Sequence, residues 1–107
     1  MAITAMATAT TIQFERYVVD TLMRDLVGHD RSPAAFIVYV AIHAAAAEGR
    51  ALFSYQAMAD LTGLSKRTCQ NAVARLHRRG LVEISRKGGT DAAEYRPLRP
   101  WARAAPA

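Results

Sequence analysis

Lys66, Arg67, Gln70 and Asn71 crowd into residues 66–71, and their side chains suit the edges of base pairs. Lysine and arginine donate to the O6 and N7 acceptors of guanine, while glutamine and asparagine pair bidentately with adenine. Each good pairing of this kind discriminates between bases by about 1–3 kcal/mol. Ser65 and Thr68 lie beside them, with hydroxyls better suited to a phosphate at a positive helix end. Side chains can act together in this way only on a rigid support with an apolar back. Cys69, Val73 and Leu76 supply one at helical spacing, which leaves Lys66, Arg67, Gln70, Asn71, Ala74 and Arg78 opposite, with Arg75 at the flank.

The elements that must carry this face are legible on either side of it. Ser65 caps a helix over residues 66–79 and Gly80 stops it. Upstream, Ser54 caps a shorter helix, Tyr55–Leu61, whose Ala57, Met58 and Leu61 are expected to face inward. The turn Thr62-Gly63-Leu64 joins the two. A compact helix, a glycine turn and a cationic helix are what a protein needs to put side chains into a DNA major groove. Downstream, residues 81–86 alternate with period two, Lys87-Gly88-Gly89-Thr90-Asp91 reads as a turn, and residues 93–98 return as a second strand. Pro97 is expected at a sheet edge. Arg86 and Lys87 flank the glycines at the hairpin tip, placed to lay cations along a phosphate backbone or into a minor groove.

The first half of the chain reads differently. Thr11 is expected to cap a helix whose Phe14, Val18, Leu22 and Leu26 recur at four-residue steps, and Gly28 to end it. Ser32 and Pro33 then restart the chain as a helix to Glu48, apolar almost all round, which must be covered on every side. The preceding helix, from the same subunit or a second one, is the obvious cover. Ala51-Leu52-Phe53 is a short extended piece after Gly49. Residues 1–10 lack periodicity and read as a disordered terminus. Residues 99–107 read as an arm or tail, with Trp101 anchoring it to the body or packing in a dimer.

The chain has 107 residues, half of them apolar, so one small domain with a single core is expected. Charge is divided unevenly. Three arginines face five acids in residues 1–49, whereas eleven Lys and Arg face four acids in residues 50–107. Such asymmetry points to a polyanion-facing surface in the second half. A single cysteine, Cys69, forbids an intramolecular disulfide and fits a reducing cytoplasm. The first ten residues lack the basic start and apolar core of a secretory leader. The apolar run Ala34 to Ala47 is too short to span a bilayer.

Helix, short strand, helix, glycine turn, basic helix and hairpin follow one another in the order of a winged helix-turn-helix domain. The run SYQAMADLTGLSKRTCQNAVARLHRRGLVEI resembles bacterial, plasmid or phage members of that family. The matching positions are Ala59, Gly63-Leu64-Ser65, Thr68, Val73, Leu76 and Gly80-Leu81, and the resemblance spans about residues 32–98. At Cys69 the family more usually has a branched aliphatic. The resemblance implies a mainly α fold with a small β-hairpin, and a recognition helix at residues 66–79. It further implies sequence-specific binding of double-stranded DNA, most simply as a transcription repressor. The DNA-binding set is then Ser54, Tyr55, Ser65, Lys66, Arg67, Thr68, Gln70, Asn71, Arg75, Arg78, Arg86 and Lys87, which Arg96, Arg99 and Arg103 extend. The extra N-terminal helix (residues 11–28) resembles the dimerisation helices added to such regulators, which assigns Phe14, Tyr17, Val18, Leu22 and Leu26 to a homodimer contact. A plasmid or phage replication or partition factor, or a winged helix that docks proteins, are the alternatives.

Catalysis finds no constellation. Gly63-Leu64-Ser65-Lys66 lacks the earlier glycine and the Gly-Lys-Ser/Thr order of a phosphate loop. Cys69 lies on the inward stripe. His29, His43 and His77 lack metal-ligand spacing with Cys69 or the carboxylates. No enzyme activity, metal, cofactor or small-molecule effector is therefore expected.

Overall fold

The computed structural model describes residues 10–86 and 92–103, with the backbone alone at residue 103. Of the expected disordered start (residues 1–10), residues 1–9 lie outside the described residues, as do the hairpin tip with Lys87, the last four residues and the Arg103 side chain. The chain forms a helix over residues 16–29 (α1), then α2 (Pro33–Ala47), β1 (Ala51–Phe53), α3 (Tyr55–Thr62), α4 (Lys66–Arg78), β2 (Val82–Ser85), β3 (Ala93–Pro97) and α5 (Pro100–Arg103). It is mostly helical with a small antiparallel sheet, an arrangement consistent with a winged helix-turn-helix fold.

α2 is the centre. Its Ala35, Val38, Tyr39 and Ile42 are buried, and α1, α3, α4, β1 and β3 all pack against it. Ser32 Oγ accepts from the Ala35 amide at 3.2 Å and Pro33 opens the helix, as the sequence predicts. The cover for its second face comes from the same chain: Val18, Leu22 and Leu26 of α1 are 1%, 3% and 0% exposed within one continuous core.

α1 departs from expectation in three ways. It starts at Arg16 rather than Thr11, and the Val18 amide bonds to the Glu15 carbonyl. Phe14 and Glu15 belong to a non-helical lead-in, where Glu15 is held by Arg99 and Trp101 of the C-terminal segment. Most of the helix is wound with i→i−5 bonds, over Val18–Leu22 and Arg24–His29. A four-residue step overshoots one α-helical turn by about 40°; the wider turns bring Val18, Leu22 and Leu26 back toward one side. Finally, Gly28 lies inside the helix and does not end it. The left-handed residue is Arg31, with φ 55°, after which the Ser32 amide bonds to the Leu26 carbonyl at 2.8 Å.

The sheet has three strands in the order β1-β3-β2, all antiparallel, rather than the two of a bare hairpin. Ala51-Leu52-Phe53 pairs with residues 93–95, and Val82–Ser85 pairs with residues 94–97. β3 is therefore the central strand, not an edge. Pro97 is tolerated because it sits opposite Val82, beyond the reach of β1.

The C-terminal segment is docked on the body. Trp101 stacks on Tyr17 with ring centroids 4.5 Å apart and donates its Nε1 proton to Glu15 at 2.6 Å. Tyr39 donates its hydroxyl to the Leu98 carbonyl at 3.1 Å, and burial pushes that phenol up to about 12, so it stays neutral.

Candidate nucleic-acid interface

Two helices and a turn set the candidate surface. Ser54 Oγ accepts from the Ala57 amide at 3.0 Å and begins α3. The phase this imposes turns Met58 and Ala59 inward and leaves Ala57 and Leu61 exposed, Leu61 by 60%. The inward expectation for Ala57 and Leu61 is thus corrected: four residues after Met58 comes Thr62, and Thr62 takes the inner place. Its Oγ1 donates to the Met58 carbonyl at 2.8 Å and accepts from the Leu64 amide at 3.2 Å, which stitches the turn. Gly63 closes α3 at φ 81°, where a side chain is strained. Thr62 Oγ1 also lies 3.8 Å from Cys69 Sγ, where α3 and α4 meet, and Ala59 and Ala72 are both buried.

α4 then emerges with the geometry its spacing predicts. Cys69, Ala72, Val73 and Leu76 are buried, and Cys69 is fully so. Lys66, Arg67, Gln70, Asn71, Ala74 and Arg78 are exposed together on the outer side, and the helix contains no acidic residue. Ser65 Oγ accepts from the Thr68 amide at 3.0 Å and donates to Thr68 Oγ1 at 2.8 Å. The two hydroxyls are therefore first of all a cap that fixes the end from which Lys66 and Arg67 project.

The base of the wing meets α3. Arg86 donates to the Tyr55 hydroxyl at 3.2 Å and its guanidinium lies 5.7 Å from the Tyr55 ring centroid. Three site candidates from the sequence, Ser54, Tyr55 and Arg86, are thus brought together at one end of the sheet. Arg96 and Arg99 are engaged elsewhere: Arg96 pairs across the strands with Glu83, and Arg99 forks onto Glu15. Both are paired inside the chain instead of extending the cationic face.

The dimerisation set is divided by the structure. Val18, Leu22 and Leu26 are spent on the chain's own α2, Phe14 is half-buried beside His43, and Tyr17 is stacked on Trp101. The outward stripe of α1 is Val19, Met23 and Val27, exposed by 52%, 38% and 37%.

What sequence reasoning missed is the fastening of α4 to the α1–α2 junction. Asp30, with a side chain only 6% exposed, places Oδ2 3.6 Å from Arg75 Nη1 and 3.5 Å from Arg79 Nε. Arg79 also pairs with Asp25. His29 Nδ1 lies 3.0 Å from Asp30 Oδ1. That hydrogen bond, ahead of the charges of Arg79 and Arg75, holds the Asp30 carboxyl below its ordinary range against the opposing effect of burial. No spacing rule links residue 30 to residues 75 and 79; the packing of α1 and of α4 against the same α2 brings them together. Ligand atoms of Asp25, His29 and Asp30 lie within 4.8 Å of one another. Both carboxylates already face arginines, whose charge opposes a metal ion there.

Among the described residues no helix is long and apolar enough to cross a membrane. No curated protein and no solved structure matches this chain. Residues 32–82 match the family model described as a helix-turn-helix domain, so the stretch from the Ser32 cap through α4 into β2 is similar to helix-turn-helix DNA-binding domains.

Proposed function

We propose that this chain binds double-stranded DNA in a sequence-dependent manner, with α4 in the major groove and the wing on the backbone or in the minor groove. The observation that carries the reading is the outer side of α4: two cations and two amides at its N-terminal end, rigidly backed by a buried stripe, without an acid on the helix. The match of residues 32–82 to a helix-turn-helix domain supports it independently. Lys66, Arg67, Gln70 and Asn71 are the base-reading group. Ser54, Tyr55, Ser65, Thr68, Arg75, Arg78, Arg86 and Lys87 are the backbone group.

A transcription repressor acting by occlusion of promoter DNA, in the cytoplasm, is the simplest role for such a surface. Homodimerisation, with two half-sites one or more helical turns apart, belongs to the same reading. It would use the outward stripe Val19, Met23 and Val27, since the inward stripe is covered. Selection of bound sites from random duplex DNA tests the proposal. Enrichment of a short motif, doubled with two-fold symmetry, is expected, and recovery of no motif above background would overturn it. Arg67→Ala and Gln70→Ala should relax base preference by about 1–3 kcal/mol at single positions more than they weaken non-specific binding. Equal losses on all sequences would contradict base reading.

A further inference from the structure

Along the flank of α4, from Thr68 to Arg78, runs a groove of about 370 Å³ that separates it from the start of α2. It is lined by Arg31, Ser32, Thr68, Asn71, Arg75 and Arg78 among others, and no acidic residue is among those lining it. We infer that Arg31 joins Arg75 and Arg78 in gripping one phosphate of the DNA backbone in this groove, which fixes the depth and angle at which α4 meets the duplex. The inference rests on the DNA-binding reading and adds to it a residue from the otherwise acidic half of the chain.

Two of the three arginines are placed by separate devices. Arg31 stands at φ 55°, a left-handed conformation a side chain rarely adopts, and its backbone is fixed there by the Ser32 amide on the Leu26 carbonyl and by the Ser32 cap of α2. Arg75 is steadied by Asp30 through Nη1, and a guanidinium carries five N–H donors, so others remain for an anion. Arg78 is exposed one turn past Ala74, on the same side of the helix. Guanidinium groups approaching one open groove suit an anion with several acceptor oxygens in more than one direction, which a phosphate offers and the edge of a base pair does not. Asp30 lies beneath Arg75 with its side chain buried, so it orients the cation from behind instead of competing at the mouth.

The salt dependence of duplex binding reads the contact directly. Each phosphate neutralised contributes about 0.9 to the slope of log affinity against log salt. Arg31→Gly should lower that slope by about one such step. It should weaken binding roughly tenfold, and evenly on selected and scrambled duplexes. Glycine accepts the positive φ, so the thermal midpoint should not fall, and Arg31→Lys should keep the slope. A wild-type chain that binds DNA while Arg31→Gly leaves the slope unchanged would overturn this inference alone. A loss confined to the selected sequence would overturn the phosphate assignment. Saturable binding of inorganic phosphate without DNA, abolished in Arg31→Gly, would move the ligand from the backbone to a free anion. Failure of the wild-type chain to bind any duplex would remove the functional reading and this one together.

Discussion

Leu26→Ala separates a core helix from a detachable one. The spacing of the first helix suits either role, but Leu26 has no exposed surface and packs with Val18 and Leu22 into the same cluster as Val38, Tyr39 and Ile42 of α2. Truncating a fully buried leucine removes its transfer free energy and leaves a cavity, together about 3 kcal/mol. For a domain of this size 1 kcal/mol moves the melting midpoint by roughly 4–8 °C, so a fall of roughly 12–24 °C is expected. The deletion of residues 1–31 follows the same arithmetic. Burial of Val18, Leu22 and Leu26 contributes roughly 5–9 kcal/mol at about 1.5–3 kcal/mol each. Whole domains are stable by only about 5–15 kcal/mol. Residues 32–107 alone should therefore fail to melt cooperatively, and DNA binding should be lost with the fold. Far-UV circular dichroism against temperature and urea reads both. A midpoint lowered by less than about 4 °C in Leu26→Ala, or a cooperative transition in the truncated chain, would refute the assignment of α1 to the core.

Gly63→Ala places a Cβ at φ 81° and should cost about 1–2 kcal/mol in urea titration, although nothing crowds that Cβ; an unshifted midpoint would contradict the left-handed turn. Hydrogen bonds from Arg99 and then Trp101 lower the Glu15 carboxyl from 4.5 to about 2. A depressed carboxyl contributes stability that is full above its unfolded value and is lost as pH falls through the folded one. The stability gap between wild type and Glu15→Gln should thus be constant above about pH 4.5 and close toward pH 2, and a gap flat across that range would count against the clasp. Asp30→Asn should destabilise the fold by about 1–3 kcal/mol at neutral pH, because Arg75 and Arg79 lose the charge they face; equal urea midpoints would deny the fastening. Met23→Asp should leave the melting midpoint nearly unchanged and halve the mass seen by light scattering, and a mass unaffected by it would exclude the outward stripe of α1 as the dimer contact.

The parts of this fold legible in the sequence were those fixed by local chemistry. Ser32, Ser54 and Ser65 cap the helices they were expected to cap, and Gly63 takes the left-handed turn. The buried stripe of α4 follows from period alone, since Cys69, Val73 and Leu76 are the only phase that hides its apolar residues. Long-range partners were illegible for the converse reason. Pairing of β1 with β3 needs register information that three residues do not carry. Glu15, just before α1, is held by Arg99 and Trp101, some 84 and 86 residues away. Gly28 invited a helix end, yet the chain winds past it, and a non-glycine residue, Arg31, takes the strained position. Among the described residues the other positive-φ positions are glycines, at 49, 63 and 80.

The same reasoning changes the meaning of the uneven charge. Read along the sequence, an acidic first half and a basic second half suggest two units, one for pairing subunits and one for DNA. In the fold the division crosses that boundary. Asp25 and Asp30 lie against Arg75 and Arg79, so the acids of the first half neutralise the inner flank of the basic helix. Lys66, Arg67 and Arg78 on the outer side, with Arg31 beside the groove, have no such partner in the contacts described. Acid placed behind the helix offsets the positive charge of Arg75 and Arg79 where they face the α1–α2 junction, while the cations left outside face solvent, open to an anionic surface. The acidic half thereby orients Arg75 through one of its nitrogens and leaves Arg78 unpaired among the described residues, and, on the DNA-binding reading proposed above, a substitution at Asp30 should change how Arg75 meets DNA as well as stability.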